Sequence, residues 1–129
     1  MVVKGYKAFN SDWTCRDKKY EVGKTYHEDN VVLCEHGMHF CKELEDVFKY
    51  YDYTPTMKLA TVEASGTVIQ SNADSKCVTS NLKIVKEINV DSEQVQWGAV
   101  KQNGHVIQYI DNPSEKVQLE AVKGEKTKF

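Results

Sequence analysis

The chain has 129 residues, 40% hydrophobic and 28% charged, the balance of one folded domain or one domain with a small appendage. A net charge of −2 and a pI near 6.1 exclude the basic field of a general nucleic-acid or anionic-membrane binder. No apolar run reaches the roughly eighteen residues a membrane span needs, and Met1 to Gly5 shows no signal-peptide organisation, so a cytoplasmic setting with reduced Cys15, Cys34, Cys41 and Cys77 is expected.

In chain order, Val2 to Phe9 reads as a strand, with Val3, Gly5, Lys7 and Phe9 on one face. Asn10-Ser11-Asp12 is a turn cluster. Tyr20 to Tyr26 alternates, placing Tyr20, Val22, Lys24 and Tyr26 together, and Val31 to Cys34 is a short apolar run of strand type. Gly37 breaks the chain before Met38 to Cys41 resumes it extended. From Lys42 the period changes: Leu44, Val47, Phe48 and Tyr51 fall at i, i+3, i+4, i+7, which predicts a helix stopped by Thr54-Pro55. Strand patterns follow over Met57 to Ala64, Gly66 to Gln70, and Leu82 to about Val90. Residues 1–90 are therefore expected to form an α+β domain, with a mixed or antiparallel sheet of about six strands and one principal helix.

The composition shifts at Asp91. Ser92 to Lys101 matches Ser114 to Lys123 at seven of ten positions, with a spacing of 22 residues, the mark of a repeated unit. Asp91 and Asn112 stand where helix caps are expected, Pro113 suits a first helical position, and Asn103-Gly104 suits a helix end. His105 to Ile110 is expected as a second, shorter helix. Residues 91–129 thus read as a helical repeat appendage packed on residues 1–90 or on a second chain, since two copies alone leave apolar faces uncovered.

Three resemblances accompany these patterns. Lys4-Gly5-Tyr6-Lys7-Ala8-Phe9, Trp13-Thr14-Cys15-Arg16, Tyr20 to Tyr26, Leu33-Cys34, Gly37 to Cys41 and Asp46 to Tyr51 resemble an uncharacterised domain of phage and prophage proteins, which usually has a Phe where Met38 stands. Ala99 to Gly104, Ile107 to Ile110 and Asn112 to Glu115 are similar to a short helical repeat of unknown function, common in phage and bacterial arrays. Both imply a mobile-element setting. Gly37 to Cys41, the helix ending in Tyr50-Tyr51, and the strand around Leu59 to Ala64 resemble the central motif of ADP-ribosyltransferases of the poly-ADP-ribose-polymerase type. That family carries a His on an early strand, where this chain has Tyr6 and Lys7, and a Tyr where His39 stands; Glu87 lies on the late strand that carries the family's Glu. The likeness implies a shared fold and argues against the family's catalysis.

The residue types suggest four kinds of site. Cys34-x-His36-x-x-His39-x-Cys41 offers four zinc-type ligands within eight residues, but the spacing matches no standard finger, and the cysteines are expected to pack rather than coordinate. Cys15 or Cys41 near His39 is the weakest reading, a thiolate pair. Tyr6, Trp13, Arg16, His39 and Glu87 are the candidate pocket residues: the rings of Tyr6, Trp13, Tyr20, Tyr26, Phe40 and Tyr51 could stack a base, with Arg16 or Lys7 on phosphate, without any Gly-rich phosphate loop. Trp97, Lys101, Gln102 and Tyr109 are the candidate interaction residues of the repeat. The expectation is a small phage- or prophage-type protein that binds a host or phage protein, such as a host-defence component of the kind an anti-CRISPR protein would target. No catalytic residue, metal or cofactor is assigned. A nucleotide-binding or ADP-ribosyltransferase-like protein, active or degenerate and with an NAD-type ligand, is the alternative; a zinc-stabilised module is the third reading. The charged run Glu125 to Lys128 is expected to be solvated surface.

Overall fold

The structure is a computed structural model that describes the backbone of residues 2–126 and the side chains through Lys123; the charged run Glu125 to Lys128 lies outside those side chains. The fold is α+β. Its strands are β1 (Val3–Phe9), β2 (Thr14–Cys15), β3 (Lys18–Lys19), β4 (Thr25–His27), β5 (Met38–Cys41), β6 (Lys58–Gln70) and β7 (Lys76–Ile88). Its helices are α1 (Leu44–Tyr50), α2 (Glu93–Gln102), a 3-10 helix (Gly104–Tyr109) and α3 (Glu115–Lys126). Among the described residues, no helix is long and apolar enough to cross a membrane.

All described strand pairings are antiparallel. The main sheet runs β4-β7-β5-β1-β6, and β6 pairs back onto β7, so β7, β5, β1 and β6 form a ring. Closure is possible because β6 and β7 are each 13 residues long and bend at register shifts between Thr61 and Val62 and between Ser65 and Val68. Strand β2 pairs with β3 as a separate two-stranded ribbon.

Two cores lie on the two faces of the ring, as the period of two in a strand requires. Phe9, Met38, Phe40, Val62, Leu82 and Ile84 fill the inside with Cys15 and Tyr20. Ala8, Cys41 and Leu59 face outward beneath Leu44, Val47 and Phe48 of α1, and Val95, Ala99, Val100, Val106, Ile110, Val117 and Ala121 of the C-terminal helices complete that second core. Lys101 of α2 also bridges to Glu45 of α1 at 2.8 Å.

Several local expectations change. Of the Tyr20 to Tyr26 pattern, only Thr25 and Tyr26 join the sheet. Val31 to Cys34 is not a strand: Asn30 and Cys34 have positive φ, and Val32 exchanges backbone hydrogen bonds with His36 inside the loop. The two strands expected over 57–70 are the continuous β6, and β7 starts earlier than expected, at Lys76. Ser92, not Asp91, caps α2, its hydroxyl accepting from Val95 N–H; Ser114 does the same for Val117 N–H, at 3.2 Å. The segment after Asn103 is 3-10 rather than α-helical, capped by the Asn103 side chain on His105 N–H.

Candidate functional site

The site begins with a lysine on the wrong side of a strand. Lys7 shares its face of β1 with Phe9, so the strand carries its side chain into the ring interior, where the residue is only 3% exposed. Its Nζ donates to the His39 carbonyl oxygen at 2.6 Å and lies 5.8 Å and 5.5 Å from the ring centroids of Phe9 and Tyr20. Burial pushes the amine's pKa down, the nearby Cys15 sulfur opposing in part.

Neighbouring β5 supplies His39. Gly37, at φ 106, makes the turn into β5 and sits where an added Cβ would meet the Val78 side chain at 2.7 Å and the Thr79 carbonyl oxygen at 3.2 Å, so β7 leaves no room for a side chain here. The Cys34 backbone N–H donates to His39 Nε2 at 2.8 Å, which places the proton of the neutral ring on Nδ1. Burial, then the charges of Arg16, Lys7 and Lys76, push the imidazole pKa down to about 4. His39 is therefore a neutral acceptor at pH 7.

The turn between β2 and β3 brings in Arg16, whose φ of 56 allows its guanidinium to donate to the Glu35 carbonyl oxygen at 3.1 Å. Lys76 of β7 stacks its ammonium 4.2 Å from the Tyr50 ring centroid and donates to Cys34 Sγ. Tyr51, just past α1, lies 3.4 Å from the buried Cys15 sulfur through its hydroxyl. A small inner cleft of about 30 Å³ is lined by Lys7, Arg16, His39, Tyr6, Tyr51 and Lys76. It adjoins a larger hollow of about 510 Å³, which shares Lys7, Arg16, His39 and Tyr51 and adds Cys15, Lys18 and Glu28, within the size range of small-molecule sites. Glu28 is paired with Lys18 at 3.1 Å, and Asp17 and Glu35 also line the hollow.

Of the pocket residues expected from sequence, Tyr6, Arg16 and His39 are brought together. Trp13 packs on Phe9, with ring centroids 5.1 Å apart, and lines none of the described cavities. Glu87 stands opposite Ala60 and pairs with Lys58 at 3.6 Å, away from the cleft. The zinc-type set is dispersed: Cys34 is exposed beside Lys76, His39 Nε2 is taken by a backbone N–H, and Cys41 faces the helices with its thiol pushed up to about 12 by burial and then by Asp46. Among the described residues, no three His, Cys, Asp or Glu side chains gather as a ligand set. In the C-terminal helices, Trp97 is half-buried beneath the ammonium groups of Lys101 and Lys116, Gln102 is half-buried and Tyr109 is exposed. Tyr51, expected among the rings that could stack a base, lines both the cleft and the hollow. Tyr50 and Lys76 were not singled out from sequence as pocket residues: Tyr50 lies off the apolar helix face, and Lys76 lies in a stretch that reads as the end of a loop.

Residues 3–96 match the family described as Domain of unknown function (DUF7666). No curated protein and no solved structure matches the chain.

Proposed function

The chain belongs to the DUF7666 family, and we propose that it is a small-molecule-binding protein whose cleft takes an anionic ligand with a planar ring, of the nucleotide class. The observation that carries this reading is the hollow of about 510 Å³ lined by Arg16, His39, Tyr51 and the buried Lys7 amine, beside the inner cleft that adds Tyr6, Tyr50 and Lys76. The charged groups of Arg16 and Lys76 suit phosphate or carboxylate oxygens, and the tyrosine rings suit stacking. An ADP-ribosyltransferase-type scaffold, active or degenerate, is the form of this reading that the motif around Gly37 to Cys41 suggests; Glu87 lines none of the described cavities and pairs with Lys58. Isothermal titration with NAD, ADP-ribose and mononucleotides tests the reading. Saturable heat is expected with at least one of them, weakened about tenfold or more by Arg16→Ala, since a hydrogen bond to a charged group is worth about 1.5–3 kcal/mol. A flat trace with the intact chain overturns it.

A second reading rests on a different observation. In the sequence repeat, Leu119 and Val122 stand where the first copy has Trp97 and Val100. Val100 is fully buried and Trp97 lies under Lys116 of α3, whereas Leu119 is 57% and Val122 is 47% exposed. The second copy therefore presents an apolar face that the first copy covers, which suits a phage- or prophage-type protein that binds a host protein through its C-terminal repeat. The test is whether a protein captured from host lysate by the intact chain is lost with the Leu119→Lys, Val122→Lys pair; equal capture by both removes this face as the binding surface.

A further inference from the structure

We propose that Lys7 is an imine-forming lysine, and that the cleft takes an anionic aldehyde or ketone which bonds covalently to its Nζ. The inference rests on the cleft being the ligand site, and it goes beyond that reading by naming a reactive atom and a functional group. Lys7 lines both the inner cleft and the larger hollow beside it, so a ligand held there reaches its side chain. Its amine meets two aromatic rings, one carbonyl oxygen and the Cys15 sulfur, and none of the described ion pairs gives it a carboxylate. A lysine buried without a carboxylate favours its uncharged form, which is the nucleophilic one. For packing alone, an unbranched apolar side chain would fill the same channel without the desolvation cost of an amine.

The surroundings supply the other requirements. Arg16 uses one of its donors on the Glu35 carbonyl and retains others for an anionic group on the ligand. The Tyr51 hydroxyl and the Cys15 thiol, 3.4 Å apart, line the larger hollow with Lys7 and can relay protons. The step balances as a condensation. The lone pair of the uncharged Nζ forms a C–N bond to the carbonyl carbon, both amine protons pass to the carbonyl oxygen, and the C–O bond breaks to release water. Imine and water are the products, and no oxidant or reductant is consumed.

The probe is pyridoxal 5′-phosphate, which joins an aldehyde, a planar ring and a phosphate. The full chain is incubated with a substoichiometric amount of the probe, reduced with borohydride, and mapped by peptide mass spectrometry, with and without a competing nucleotide. The expected result is a reduced adduct concentrated at Lys7, at least about tenfold over any exposed lysine, and suppressed by the competitor. Lys7→Arg and Lys7→Met, checked for folding by circular dichroism, remove the focused adduct, and Lys86→Arg, at an exposed lysine outside the cleft, retains it. Saturable binding of the probe to the intact chain with no adduct at Lys7 overturns the imine and leaves the ligand site standing. Labelling spread over surface lysines also overturns the imine. The absence of any saturable binding, with nucleotides as well as with the probe, overturns both readings. Because mapping on the intact chain decides the matter alone, a Lys7 variant that fails to fold does not block the test.

Discussion

His39 carries a pH dependence whose sign follows from its surroundings. Its folded pKa is near 4, held down by burial and by Arg16, Lys7 and Lys76, against about 6.5 in an unfolded chain. Between these values the unfolded state binds more protons, so this contribution is complete above about pH 6.5 and is lost as pH falls toward 4. The chain should lose about 2 kcal/mol between pH 7 and pH 5 from this one group. His39→Gln, which keeps an acceptor for the Cys34 N–H, should flatten that part of the profile in urea melts at the two pH values. An equal loss in both proteins would place the dependence elsewhere. His39 and Arg16 were legible in the sequence as site residues because their types announce chemistry. The burial of Lys7 was not, because a lysine between Tyr6 and Ala8 on an imperfectly alternating strand is usually solvated. The register of Glu87 was not legible either: it stands opposite Ala60 on a strand pair interrupted by two register shifts, and no short pattern encodes them.

At the scale of elements, ring closure is weakest between β1 and β5. Those strands share the single register pair Tyr6–Cys41, whereas β1 and β6 share seven. Gly5 is what lets β5 come so close: a Cβ there would lie 2.5 Å from the Cys41 carbonyl oxygen and 2.6 Å from the Phe40 ring. The nearest obstacle is backbone, so Gly5→Ala must push the strands apart. A loss of about 1–3 kcal/mol is expected from the overpacking, together with weaker ligand binding, because the same two strands hold Lys7 against the His39 carbonyl. Chemical denaturation and titration of the variant check both; unchanged stability would show that the β1–β5 contact is dispensable. The principal helix was readable because its apolar face repeats at i, i+3, i+4, i+7, and α1 spans Leu44–Tyr50. The alternation of Tyr20 to Tyr26 was sheet-like partly for another reason: only its end, Thr25 and Tyr26, pairs with β7, while the Tyr20 ring packs at a tilt on Phe9 and edge-on to Tyr26 in an aromatic cluster.

For the whole molecule, the question is whether residues 1–90 stand alone. The composition shift at Asp91 marks a boundary in sequence, but the core crosses it. Leu44, Val47 and Phe48 of α1 are buried in one cluster with Val95, Ala99, Val100, Val106, Ile110, Val117 and Ala121, and the family match runs on to residue 96, inside α2. Five of those seven C-terminal residues are Val or Ile. Each such side chain contributes about 1.5–3 kcal/mol when fully buried, so together they rival the net stability of about 5–15 kcal/mol typical of a domain. A chain ending at Val90 would keep the strands yet uncover the outer face of α1. The fragment 1–90 is therefore expected to lose cooperative unfolding and near-ultraviolet circular dichroism, and to bind a hydrophobic dye, while retaining part of its far-ultraviolet signal. A fragment that melts cooperatively and binds the cleft ligand as the full chain does would instead make the C-terminal helices an accessory. Their covered face would then be a docking surface, not a wall of the core, and the exposed Leu119 and Val122 would extend it.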